Sequence, residues 1–501
     1  MWQNPPMNAG KWAYPTAAVI VIVIGVFLRF NQLSLKPMHH DEGVNHLFVN
    51  TLVENGLYQY NPENYHGPLL YELAYFPSRL LGFSEVTLRA VPAFLGSLVI
   101  VLILALRRWI GRPGAIAAAA IVAMSPADVF FSRTFIHEIY LVFTLALFSW
   151  FLLRFLSDRR TRNCVGAACA LSLAFATKET TALTVITLVA AYGVAVLLGR
   201  RDQSPDFAFW KTTTRWPVVL LDASMAAAIL WMMLYSTFTT NPKGILDFFR
   251  AFMPWLNTGV GQTGHEKDFT YFMALLWKYY QPAVLLALPA LIETVRLRKP
   301  VSIFFVAWSL LHLAVYSIIP YKTPWCVVTI AFPLIVVAGL GAGAVFDWLK
   351  GRVAFSALAA LIMAASLIPH ASYCLELNFK RYDDDRNKIV YVQTMRKFKD
   401  MFPKIAAAAA RDQGAETEII LIDSKHPTNF YLRDYTNTLY HAAPPKEAIR
   451  APVVIASEAY ADAVRILLDA TYVEQRYPVW PGQVVVLFLR EDVWKGSIEE
   501  N

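Results

Sequence analysis

Residues 89–107 read RAVPAFLGSLVIVLILALR, with no charged side chain between Arg89 and Arg107. A helix of roughly 20 residues crosses about 30 Å of hydrocarbon and satisfies its own backbone hydrogen bonds on the way. This stretch therefore reads as a membrane span. Blocks of the same kind recur near 15–32, 113–129, 137–156, 163–177, 180–198, 217–238, 271–293, 300–319, 324–346 and 353–371. They predict about eleven transmembrane helices. Composition agrees: 56% of the 501 residues are hydrophobic and 16% are charged, against roughly 25% charged in an ordinary soluble domain. Mean hydropathy is +0.41.

The net charge of +8 is distributed as topology and gives no sign of nucleic-acid binding. Basic residues gather in alternate loops: Arg107, Arg108 and Arg112; Arg154, Arg159, Arg160 and Arg162; Arg200, Arg201, Lys211 and Arg215; Arg296, Arg298 and Lys299; Lys350 and Arg352. The loops between these clusters lean acidic. The positive-inside rule then puts the N-terminus in the cytoplasm and residues after 371 outside a plasma (inner) membrane. Lys11 and the apolar run that follows resemble a signal peptide. No small-residue cleavage site follows, so the segment reads as a retained first helix. Cys164, Cys169, Cys326 and Cys374 have no metal-ligand spacing. Only Cys326 and Cys374 fall near the outer face, where a disulfide could join them.

The polar residues collect on that outer side. The first outer loop, 33–88, holds two amphipathic stretches, 42–54 and 67–81, too short to span and expected to lie at the interface. Met38-His39-His40-Asp41-Glu42 precedes the first, and Tyr65-His66-Gly67-Pro68 opens the second. Later outer loops contribute Ser132-Arg133, His137-Glu138, Thr177-Lys178-Glu179-Thr180, Gly264-His265-Glu266-Lys267 and Tyr321-Lys322-Thr323-Pro324-Trp325. Each feature has a plain structural reading of its own. Asp41-Glu42 and His137-Glu138 could cap helices, Lys178 and Lys322 could anchor topology, and the histidines could be ordinary interfacial residues. Chance capping does not put so many ionisable groups on one face, and buried ionisable groups usually face a cavity or a partner. The set reads as an outward-facing active site.

A carboxylate pair after the first helix, an interfacial helix pair and an acidic residue opening the fourth helix resemble the glycosyltransferase C superfamily. That superfamily includes the dolichyl-phosphate-mannose-protein mannosyltransferases and the lipid A aminoarabinose transferases. His40-Asp41-Glu42, His66-Gly67-Pro68-Leu69, Ser132-Arg133, Gly264-His265-Glu266-Lys267 and Tyr321-Lys322-Thr323-Pro324-Trp325 look most like one branch, named for an archaeal flippase-activity-associated protein and also found in bacteria. The resemblance covers about residues 15–345, and more faintly Phe430 to Tyr435.

It implies transfer of a sugar from a polyprenyl-phosphate donor to a lipid, polysaccharide or protein acceptor of the cell envelope on the extracytoplasmic face, with inversion. Asp41 is implied as general base, and Glu138, with Glu42, as the group that orients the acceptor. His66, Arg133, Lys178, His265 and Lys322 are implied to bind the donor and its departing phosphate, and Tyr65 and Trp325, with Tyr71 and Trp255, to wall the sugar. A divalent cation on Asp41, Glu138 and His265 is optional in this picture; no other cofactor is expected. Asp383-Asp384-Asp385 reads as a solvated linker and not as a nucleotide-sugar cassette. The rival readings are a lipid-linked sugar flippase and a non-catalytic envelope subunit. A transporter would carry repeats and midplane charges, which this sequence lacks.

Composition changes near residue 372, dividing the chain into a membrane domain, 1–371, and an extracytoplasmic domain, 372–501. In the latter, 386–411 has helical spacing, 418–423, 451–457 and 483–490 read as buried strands, and 459–468 looks helical. Strands alternating with helices predict a small α/β domain.

Overall fold

The computed structural model describes residues 9–494 apart from 57, 65, 201–204, 212–214, 261–263 and 425. It divides into two compact units: residues 1–31 with 51–380, and residues 32–50 with 381–501.

The first unit is helical. Every predicted span contains a helix, and among the described residues nine are long and apolar enough to cross a membrane: Ala13–Phe30, Glu85–Ala105, Glu138–Asp158, Thr181–Leu198, Trp216–Tyr235, Tyr271–Leu297, Pro300–Ile318, Cys326–Trp348 and Val353–Phe379. One further pair of helices reaches that length only when taken together, as a broken span or a re-entrant loop. Arg112–Met124 and Pro126–Ser132 meet at 59°, because Pro126 cannot continue the hydrogen-bond ladder and Ser125 instead accepts the Asp128 amide and starts a new helix. The block at 163–177 differs from expectation: the Thr161–Phe175 helix has 15 residues, short of the roughly 20 a span needs. It packs between Glu138–Asp158 and Trp216–Tyr235.

Small residues let the innermost helices approach. A Cβ on Gly341 would lie 1.8 Å from the Leu286 carbonyl oxygen, and one on Gly114 would lie 2.2 Å from that of Gly339. Large apolar side chains such as Val19, Ile20, Val23 and Phe27 remain exposed on the Ala9–Phe30 helix, as a lipid-facing surface requires. The two amphipathic stretches of the first loop are helices, His40–Asn55 and Leu69–Leu81. All four cysteines are free thiols.

The second unit is a five-stranded mixed sheet made of β1 (Ile419–Ile422), β2 (Thr438–His441), β3 (Val453–Ser457), β4 (Tyr472–Trp480) and β5 (Gln483–Arg490), in the order β2-β1-β3-β5-β4. β1 is parallel to both β2 and β3; β5 is antiparallel to β3 and to β4. The inner strands are continuous apolar runs because both faces are covered. Ile419 and Leu421 join Phe398, Met401, Ile405 and Leu487 on one side, and Ile420 and Ile422 join Val454, Val464, Val486 and Phe488 on the other.

The segment expected to be helical over 386–411 forms helix only from Arg396 to Ala409. Its first part is drawn out by tertiary bonds. Gln393 donates to the Pro37 carbonyl at 3.0 Å, Thr394 to the Met38 carbonyl at 2.6 Å, and the Met395 amide to the Val479 carbonyl at 2.9 Å. These bonds, with Met38 N–H to the Tyr431 hydroxyl at 2.8 Å and Asn429 to the Gly43 carbonyl at 3.2 Å, tie residues 32–50 into this unit.

Candidate active site

His66, Gly67 and Pro68 lie against the turn between Thr161–Phe175 and Thr181–Leu198. The Gly67 amide donates to the Thr177 carbonyl at 3.2 Å and the Leu69 amide to that of Ala176 at 2.8 Å. Only glycine allows this approach, since a Cβ would sit 2.1 Å from the Ala176 oxygen. The contact delivers the His66 ring to Glu179, Nδ1 to Oε2 at 2.9 Å, and sets it beside His137, tilted by 43° with ring centroids 4.5 Å apart. On the same turn, Lys178 is buried and ion-paired with Glu138 at the start of Glu138–Asp158.

The charges within this cluster set one another. Burial opposes the Lys178 ammonium, but Glu138 and then Glu179 outweigh it and hold Lys178 well above its ordinary range. Burial likewise opposes the Glu179 carboxylate, yet His66 and Lys178 bring it below the usual range. Burial, with His66 and Lys178 alongside, keeps His137 neutral, well below its ordinary value. A buried ion pair costs solvation that only a neighbour's charge and hydrogen bonds offset, and here four groups from three segments do so.

This cluster forms one end of a cavity of about 320 Å³ lined by His66, Lys178, Glu179, Trp255, Tyr316 and Trp325 among others, its remaining walls mostly apolar. The far wall is shaped by a short pairing of two loops. The Lys267 amide donates to the Pro320 carbonyl and the Lys322 amide to that of His265, both at 3.1 Å, and Glu266 bridges Tyr321.

The other residues singled out from sequence fall as follows. Lys322 is buried, and its ammonium donates to the Lys267 carbonyl at 3.0 Å and the Ile319 carbonyl at 2.6 Å. It and His265, whose ring meets Tyr321 at 5.2 Å, hold the loop pairing and are not among the lining residues. Arg133 is placed elsewhere. It is buried, donates to the Leu28, Arg29 and Asn31 carbonyls and lies over Phe379; it completes the C-terminal end of the first helix. Tyr65 lies outside the described residues. Tyr71 meets Tyr58 at 4.6 Å, tilted by 45°, and His137 edge-on at 5.8 Å, and is not among the lining residues.

Asp41 and Glu42 stand at the start of the His40–Asn55 helix, in the part of it (residues up to 50) that belongs to the second unit. Glu42 is buried and its Oε2 accepts the His39 amide at 2.8 Å, the return half of a capping arrangement, which accounts for this side chain structurally. The Asp41 carboxylate is about half exposed, 3.9 Å from His39 Nδ1. His39 Nδ1 is itself met by the Asp41 amide, while Nε2 faces the Tyr391 carbonyl at 3.0 Å. Among the described residues no three His, Cys, Asp or Glu groups converge to hold a metal ion. Glu138 is ion-paired with Lys178 and the His265 ring lies against Tyr321. Glu179 and His137, central to the cluster, stand among the outer-loop polar residues in the sequence but carry no assigned role there; the one signal for Glu179 is a carboxylate adjoining Lys178 in the same turn.

The apolar cavity, with a buried ionised cluster against it, lies where the ends of several helices meet, in a fold shared with solved membrane-protein structures. ArnT from Cupriavidus metallidurans, solved bound to undecaprenyl phosphate, matches 96% of this chain and 98% of its own with a TM-score of 0.62 at 16% identity. The oligosaccharyltransferase AglB from Archaeoglobus fulgidus, solved with an inhibitory peptide and a dolichol-phosphate, matches 92% of this chain and 72% of its own with a TM-score of 0.58 at 14% identity. Within the sequence, residues 65–209 match the family model of dolichyl-phosphate-mannose-protein mannosyltransferase, which spans His66, Glu138, Lys178 and Glu179. No curated protein matches the chain.

Proposed function

We propose that this chain is a membrane glycosyltransferase that moves a sugar from a polyprenyl-phosphate donor to an acceptor on the extracytoplasmic face. The observation that carries the reading is the cavity itself. Its apolar walls suit an isoprenoid tail, and its buried lysine suits a phosphate. The polyprenyl phosphates solved with ArnT and AglB support the donor class. The alternation of basic clusters along the sequence supports the orientation.

In this mechanism the acceptor hydroxyl attacks the anomeric carbon as its proton passes to the Asp41 carboxylate. The bond between anomeric carbon and phosphate oxygen breaks, its electron pair leaves with the phosphate, and the anomeric centre inverts. Lys178 has three ammonium protons; one engages Glu138 and another is available to the departing phosphate. That help counts most in a site of low dielectric. Glu138 and Glu179 keep Lys178 charged, and His66 holds Glu179. Trp255 and Trp325 flank the sugar. His265 and Lys322 act as positioning residues, through the loop pairing that forms the wall.

The test is sugar transfer in detergent from polyprenyl-phosphate sugars to a membrane-extract acceptor. Folded Asp41→Asn protein is expected to lose at least about a hundredfold in rate. Near-normal transfer by that variant would remove Asp41 as base. Absence of transfer by wild type across the donor panel would return weight to the flippase reading.

A further inference from the structure

The second unit contains a cavity of about 480 Å³ whose lining includes none of the residues assigned above to sugar transfer. It lies at the carboxyl ends of the three parallel strands. Asp423 follows β1, His441 ends β2 and Ser457 ends β3, and all three line it. The chain passes from β1 to β2 on one side and returns to β3 on the other. The crevice between β1 and β3 is therefore a topological switch point, where open α/β sheets bind their ligands.

The side chains at this crevice are organised. Ser457 Oγ donates to Asp423 Oδ2 at 3.0 Å. Asp423 adopts φ of +52°, in the left-handed region that non-glycine residues enter at a cost, most often at functional positions. His426 and His40 bring their rings together at 5.3 Å, and His40 meets Trp480 at 5.8 Å. Trp480 stands at the β4–β5 hairpin, where a register shift between Pro478 and Trp480 re-aims the side chain, as bulges do beside sites. Among the described residues the buried ring nitrogens His40 Nδ1 and Trp480 Nε1 meet no hydrogen-bond partner, and buried polar atoms are seldom left so.

We propose that this crevice is a carbohydrate-binding site, holding a neutral sugar unit against the Trp480 indole with its hydroxyls on Asp423, Ser457 and the surrounding imidazoles. The chemistry selects that class. An aromatic wall offers an apolar face to the sugar's C–H surface, while a carboxylate, a hydroxyl and imidazoles both accept and donate. Phosphate and nucleotides fit poorly, since Asp423 occupies the turn after β1 where such ligands need glycine and free amides. A metal ion is disfavoured too, because no three ligating groups converge among the described residues. The site would let the enzyme grip a glycan independently of the reaction centre.

The experiment is saturation-transfer NMR on the full-length protein in a sugar-free detergent, with a panel of methyl glycosides and short neutral oligosaccharides. At least one is expected to receive saturation. Asp423→Asn, which keeps the Ser457 bond and tolerates positive φ, and Trp480→Phe should each weaken binding by about tenfold or more, with melting unchanged. Asp41→Asn should bind as wild type does, so loss of transfer and loss of binding are separable. No signal from any sugar, or signals untouched in both crevice variants, would overturn the assignment. Displacement by inorganic phosphate at millimolar concentration would also overturn it, in favour of an anion site.

Discussion

Lys178 and Glu138 lie 40 positions apart in sequence and are buried together as an ion pair, with Glu138 helping to hold the Lys178 charge. Replacing one strands its partner in low dielectric, at a cost of about 3–5 kcal/mol. Glu138→Gln and Lys178→Met are each expected to lower the apparent melting temperature in detergent. The double variant should lose clearly less than the sum of the two, because it removes both charges. Strict additivity would mean the pair is not coupled. His66 and Glu179, 113 positions apart, illustrate what a sequence hides at this scale. His66 was legible as a polar residue in an interfacial segment, and Lys178 as a cation at a helix end. Which carboxylate each would meet was not, since that depends on how the first loop folds onto the later turn. Arg133 is the converse case: an arginine beside the site in sequence, it spends its protons on the carbonyls of the first helix.

The helices show which patterns carry enough information by themselves. Apolar blocks announced the spans because one backbone solution dominates in hydrocarbon. The same logic missed the break at Pro126, which falls inside one such block. Strands β1, β3 and β5 were legible as continuous apolar runs, whereas β2 and β4 were not. Both are sheet edges, half-exposed and mixed with polar residues, and β4 carries a proline that only an edge accepts. At this scale Gly67 is the decisive small residue. Gly67→Ala should push the His66 segment off the Ala176 carbonyl, reducing transfer by at least about tenfold with a lower apparent melting temperature. Gly193→Ala, in a helix with nothing within 4 Å of the added carbon, is the control and should leave both unchanged. Equal behaviour of the two variants would contradict the packing argument.

At the scale of the whole molecule, the segment bearing Asp41 belongs to the same unit as the tail. Pro37, Met38, His39 and Gly43 all find partners there, in Gln393, Thr394, Tyr431, Tyr391 and Asn429. Deleting residues 381–501 should therefore abolish transfer even where the membrane helices still insert with their normal helical content. The measurement is transfer beside circular dichroism of the purified truncated protein. Retained transfer would show that the Asp41 segment holds its conformation unaided.

Sequence by itself determined that this chain lies in a membrane, where its helices run and that a small α/β domain closes it, because burial of apolar surface and backbone satisfaction are local demands that leave a periodic trace. It also named His66, Lys178 and Trp325, which the fold brings to one cavity, and Glu138, which pairs with Lys178. The tertiary structure alone decided the rest: which charges pair, which lysine faces the cavity and which props a loop, and that residues 32–50 join a sheet more than 350 positions onward. Charge pairing and docking depend on distances between segments remote in sequence, and no local pattern records those distances.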